Sequence, residues 1–163
     1  MSVTLPDQNP PSHQPHRLSI VVPVFNERDN IPHLVDEIDA ALAAAGLTYE
    51  LICIDDGSTD DTSAVITELQ LTRPHLRLLT FRRNFGQTAA MSAGFDHARG
   101  DIIVAMDADL QNDPRDIPKL LEKIDEGFDC VSGWRKDRQD DKFTRILPSK
   151  IANWMISTVT GVR

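Results

Sequence analysis

The chain has 163 residues, 25 acidic against 17 basic side chains, a net charge of -8 and 40% apolar residues. That length supports one domain with a real core, and the acidic surplus argues against a general nucleic-acid binder. No uninterrupted apolar run is long enough to be read as a membrane-spanning helix.

Residues 1–17 are rich in proline and polar side chains and lack the charged-then-apolar pattern of a signal peptide, so they read as a disordered leader. Residues 18–24, LSIVVPV, are a near-continuous apolar run, the mark of a strand buried on both faces. Ile31, Leu34, Val35, Ile38, Leu42 and Ala45 then recur at helical spacing, with Asn30 as N-cap and Gly46 as stop. A second strand, YELICID, is read over 49–55. The helix after it opens with cap residues and places Val65, Ile66 and Leu69 on one face. A third strand is read over 76–81, followed by a small-residue helix within 86–100 that can pack closely on a sheet. A fourth strand is read over 101–107, a helix over 114–127 with Pro114 near its start, and a fifth strand over 128–133. Cys53 and Cys130 each fall inside such an apolar run. They read as buried structural thiols, which fits a cytoplasmic address and gives no metal framework.

Strands alternating with helices predict an α/β layer fold with a mostly parallel sheet. Such sheets bind ligands outside the carboxyl ends of their strands, where strand order reverses. The loops after the successive strands read PVFNE, DDGSTDD, RRNFGQ, DADLQNDP and SGWRKDRQDD, so polar chemistry is concentrated at that one edge.

In extended chain, residues two apart point the same way, so Asp107, Asp109 and Gln111 can present three oxygens to one point. Hard cations such as Mg²⁺ or Mn²⁺ want oxygen ligands, and Mg²⁺ commonly takes one or two carboxylates plus substrate phosphates. The alternative is a strand end whose acids are merely solvated. Asp55 and Asp56 also end a strand. The turn after them can cap the next helix through Ser58, Thr59 or Asp60, while the paired carboxylates can accept hydrogen bonds from a ribose or a base. An acidic pocket like that of response regulators is another reading of this pair, but it leaves PVFNE and DADLQ unexplained. The glycine-rich dinucleotide and P-loop patterns, H-E-x-x-H, C-x-x-C and G-x-S-x-G are absent from the sequence.

Together, SIVVPVFNE, YELICIDDGSTDDT, RRNFGQTAAMSAGFDHARGDIIVAMDADLQNDP and GWRKDRQDDKFTRILPSKIANWMISTVTG resemble a family 2 glycosyltransferase with the GT-A fold, from Leu18 to the last residue. The closer resemblance is to the branch that glycosylates polyprenyl phosphates, including dolichyl-phosphate mannose synthases and bacterial undecaprenyl-phosphate transferases. The resemblance implies a Rossmann-like three-layer domain over 18–163, interrupted on its C-terminal acceptor side. It implies that Pro23, Phe25 and Glu27 line the nucleoside pocket, and that Asp56, supported by Asp55, contacts the nucleoside. Asp107 and Ala108 would border the donor, and Asp107, Asp109 and Gln111 would hold Mg²⁺ or Mn²⁺ on its diphosphate. Arg135, Arg145 and Ser149 would grip phosphate groups, including that of the lipid acceptor. The donor expected from the bacterial resemblance is a UDP-sugar.

A phosphate acceptor explains why no general base stands out. Its second pKa is about 6, so it is largely dianionic at neutral pH and attacks directly, inverting the anomeric centre. From Phe143 onward, Ile146, Leu147, Ile151, Trp154 and Met155 recur at helical spacing among Lys142, Arg145 and Lys150. This segment reads either as a helix covering the sheet or as a helix at a membrane surface. The expected location is the cytoplasmic membrane face, with anchoring segments outside this chain. Two other functions fit the motifs less well: a family 2 transferase acting on a sugar hydroxyl, and a noncatalytic nucleotide-sugar-binding regulator.

Overall fold

The computed structural model describes residues 18–133. The chain divides into two compact units, 1–128 and 129–163, and every helix and strand among the described residues belongs to the first. Four strands form one sheet: β1 (Leu18–Val24), β2 (Tyr49–Asp55), β3 (Leu76–Thr80) and β4 (Ile102–Ala105). All pairings are parallel and the order is β3-β2-β1-β4. The helices are α1 (Ile31–Ala44), α2 (Thr62–Gln70), α3 (Gln87–His97) and α4 (Ile117–Asp125), the last entered through a 3₁₀ turn at Pro114–Asp116.

The two apolar faces of β1 explain the layers. Ile20, Val22 and Val24 face a core closed by Ile31, Leu34, Val35, Ile38 and Leu42 of α1, Ile66 of α2, and Ile117 and Leu121 of α4. Val21 faces the other way, with Ile52 and Ile54 of β2 and Ala90 of α3. The small residues of α3 let its backbone lie close to the sheet. A Cβ added at Gly94 would stand 2.3 Å from Val21 Cγ1 and 2.8 Å from Ile54 Cδ1. At the amino end of the sheet, the buried Glu50 accepts hydrogen bonds from Ser19 Oγ (2.7 Å), Arg77 Nη1 (2.6 Å) and the Arg99 N–H (2.6 Å). Burial opposes ionisation of Glu50, but these donors outweigh it and hold its carboxyl below the usual range.

Four of the five expected strands form, and all four expected helices form within a few residues of their expected bounds. The fifth does not: among the described residues, 128–133 form no strand. A strand is held by its ladder, and among the described residues this short run has none; Phe128 and Cys130 are exposed rather than buried. Cys53 is buried as expected, and desolvation pushes its thiol up to about 12. Strand β4 is shorter than the expected 101–107 and only half-buried. Its Ile102 and Val104 pack on the first core, but α3 lies over β1 and β2, so Ile103 on that side stays 42% exposed.

Candidate functional site

The chain runs β1, β2, β3 towards one edge, then returns across β1 to place β4 on its other side. The order therefore reverses between β1 and β4, and the crevice beyond their carboxyl ends is the expected ligand position. The loops there are fastened to one another before any ligand is considered. After β1, Asn26 adopts φ 57°, a left-handed conformation that asparagine tolerates. Its N–H donates to Ser58 Oγ (2.9 Å) and its Oδ1 accepts from the Thr59 N–H (2.8 Å). The Glu27 N–H donates to Thr62 Oγ1 (3.0 Å), and Glu27 Oε2 accepts from Asn30 Nδ2 (2.7 Å). These bonds tie the β1 and β2 loops together and leave Phe25 44% exposed beside them.

Asp55 and Asp56 are both buried, yet they do different work. Asp55 accepts from the Ser58 N–H (2.8 Å) and from Ser63 Oγ, so it closes the turn onto α2. The N-cap of α2 is Asp61, whose side chain makes no capping bond; Asp60, one residue earlier, accepts from the Thr62 N–H at 3.0 Å. Asp56 reaches across to the loop after β3. Its Oδ1 accepts from the Phe85 N–H (2.7 Å) and its Oδ2 from the Gly86 N–H (2.9 Å). Gly57 permits this approach. It sits at φ 73°, and a Cβ there would meet the Arg83 carbonyl carbon at 2.3 Å.

Beyond β4, Met106 and Ala108 point into the core while Asp107 and Asp109 line the crevice. The alternation read from the sequence therefore continues through Asp109. It stops there, because Leu110 turns the chain with φ 59°. Gln111 consequently does not continue the line of Asp107 and Asp109. It lies on a separate depression of about 740 Å³ formed with α1 and the Pro114–Asp116 turn. Its N–H donates to Asp109 Oδ1 at 3.0 Å. Asp113, the last acid of the loop, caps that turn through the Arg115 N–H (3.0 Å).

The crevice holds about 310 Å³ and collects Pro23, Phe25, Glu27, Asp56, Asp107, Ala108 and Asp109 from three separate loops. Asn84, Gly86 and Gln87 also line it and were not singled out in the sequence, although RRNFGQ was among the strand-end loops. Gln87 Nε2 donates to Asp107 Oδ1 at 2.8 Å. Arg135, Arg145 and Ser149, the leader 1–17 and the helical pattern from Phe143 onward lie outside the described residues. Among the described residues, no three His, Cys, Asp or Glu side chains gather as a ready metal cage, and no helix is long and apolar enough to cross a membrane. Two carboxylates on one wall of an open crevice are nevertheless a donor set that suits a hard cation whose other ligands are phosphate oxygens.

The description "Glycosyl transferase family 2" matches this chain over residues 19–163. The chain belongs to that family. Among curated glycosyltransferases, it is 45% identical over 146 residues to an undecaprenyl-phosphate 4-deoxy-4-formamido-L-arabinose transferase of Klebsiella pneumoniae (strain 342), covering 89% of this chain and 44% of that protein. It is 47% identical over 149 residues to a dodecaprenyl-phosphate galacturonate synthase of Rhizobium johnstonii, covering 90% and 44%. The chain thus spans under half the length of these family members. Among solved structures, it superimposes with TM-score 0.54 and 28% identity on a mannosyltransferase of Pyrobaculum calidifontis bound to GDP-Man and Mn²⁺, over 64% of this chain and 30% of that one. A glucosyl-3-phosphoglycerate synthase of Mycobacterium tuberculosis, bound to Mn²⁺ and UDP, gives TM-score 0.54 and 27% identity, over 67% and 39%. The α/β architecture of this family 2 domain is the GT-A fold.

Proposed function

We propose that the protein transfers a sugar from a nucleotide sugar, expected to be UDP-linked, to a polyprenyl phosphate at the cytoplasmic face of a membrane. The observation that carries the reading is the convergence of Asp107 and Asp109 with Phe25, Glu27 and Asp56 in one crevice at the switch point of the sheet. Two named relatives act on polyprenyl phosphates, and two superimposable structures hold a nucleotide or nucleotide sugar with Mn²⁺, which supports the donor, acceptor and metal classes.

In this reading Pro23, Phe25 and Glu27 bound the nucleoside. Both oxygens of Asp56 already accept backbone N–H groups, so this carboxylate is committed to the loop after β3. Its part is to hold the far wall of the crevice in place. Asp107 and Asp109 hold Mg²⁺ or Mn²⁺ against the diphosphate, and Gln111 joins them only if the turn at Leu110 opens. The cation, when bound, stabilises the negative charge of the departing nucleotide diphosphate. Arg135, Arg145 and Ser149 orient the acceptor phosphate, since the planar guanidinium fork matches phosphate oxygens. That phosphate is largely dianionic at neutral pH, so one direct displacement with inversion needs no side-chain base.

The test is turnover by the encoded protein with a panel of nucleotide sugars and undecaprenyl phosphate, with and without Mn²⁺. Arg145→Ala is expected to slow lipid-dependent transfer at least about tenfold, the equivalent of about 1.4 kcal/mol, while leaving UDP affinity nearly unchanged. Metal-independent transfer, or equal loss of transfer and UDP binding in Arg145→Ala, would refute the corresponding assignment.

A further inference from the structure

We propose that Gln87 is a positioning residue for metal binding: from the first turn of α3, its side-chain amide fixes the carboxylate of Asp107 for the cation. The inference rests on the metal reading of Asp107 and Asp109. Gln87 Nε2 donates to Asp107 Oδ1 at 2.8 Å. No other hydrogen bond to the Asp107 side chain is found among the described residues, and Asp107 lines the crevice. The donor is a neutral amide. It fixes the carboxylate without supplying a positive charge, whereas a lysine or arginine in its place would pair with the carboxylate and repel the cation.

The placement of Gln87 is determined elsewhere in the site. Helix α3 begins at Gln87, directly after Gly86 at φ 95°. The Phe85 and Gly86 N–H groups are gripped by the two oxygens of Asp56 at 2.7 and 2.9 Å. The Gly86 carbonyl in turn accepts from the Ala89 and Ala90 N–H groups, which starts the helix. One continuous path therefore runs from the tip of β2, through Asp56 and the start of α3, to the carboxylate beyond β4. Partners that orient a ligating carboxylate commonly influence metal affinity by about 10- to 100-fold.

The experiment is Mn²⁺ titration of the whole chain in the presence of UDP, read as the loss of the free-Mn²⁺ electron paramagnetic resonance signal. The melting temperature is recorded with and without metal. Gln87→Ala is expected to weaken Mn²⁺ binding by about 10-fold or more. The metal-free melting temperature should stay unchanged, because the side chain is exposed. Gln87→Lys retains a donor but adds a charge, and should bind Mn²⁺ more weakly than Gln87→Ala. Equal Mn²⁺ affinity in Gln87→Ala and wild type, with binding abolished in Asp107→Ala, would overturn this inference alone. Binding that survives Asp107→Ala, or no saturable binding by wild type, would overturn both it and the metal reading beneath it. Tighter binding by Gln87→Lys than by Gln87→Ala would also overturn it.

Discussion

Replacing Asp56 by asparagine separates two roles that one carboxylate at this position can have. The side chain is 4% exposed, and its two oxygens accept the Phe85 and Gly86 N–H groups at 2.7 and 2.9 Å. Asparagine has the same shape but only one acceptor atom. Whichever way the amide is turned, one backbone N–H faces an NH₂ group, donor against donor. Hydrogen bonds to charged groups contribute about 1.5–3 kcal/mol each, so Asp56→Asn is expected to cost about that much. For a domain of this size, about 4 °C per kcal/mol translates the loss into a fall in Tm of roughly 6–12 °C. Removing one of two adjacent acids relieves some repulsion from Asp55, which favours the lower end of that range. The assay is thermal and urea unfolding of wild type and variant without ligand, followed by UDP calorimetry in Mn²⁺. If Asp56 braces the loop, stability falls first and UDP affinity falls with it. A Tm within about 2 °C of wild type, together with a clear loss of UDP affinity, would refute the brace and make Asp56 a direct nucleoside contact.

Gly57→Ala forces a side chain into φ 73° and against the Arg83 backbone. It is expected to cost at least about 1–2 kcal/mol in urea unfolding and to displace the loop that carries Asn84 and Gly86. For Glu50, a depressed folded-state pKa means that its stabilisation is present above the unfolded value of about 4.3 and is lost as pH falls through the folded value. Unfolding free energy should therefore decline on acidification below about pH 4.3, and Glu50→Gln should flatten that slope while lowering stability at neutral pH. A pH series of urea transitions checks both expectations.

The alternation of elements could be read from the chain alone, because period and punctuation are local. The buried run of β1 and the three-and-four spacing of α1 needed no tertiary information. The gathering of acids and amides after the strands could be read in the same way, and it is enough to locate the crevice edge once a parallel sheet is inferred. Sequence could not determine how far a strand continues or which side chains meet. Residues 128–133 have the apolar pattern of a strand, but among the described residues they find no partner, and a strand exists only through its ladder. Asp107 and Asp109 share a wall of the crevice, as their spacing implied, whereas Gln111 leaves it because the turn at Leu110 interrupts the period. Asp55 and Asp56, adjacent in the chain, serve different loops because consecutive side chains at a strand tip point to opposite sides. The bond between Gln87 and Asp107 joins residues separated by a whole helix and strand, so only the packing of α3 across β1 and β2 brought them together.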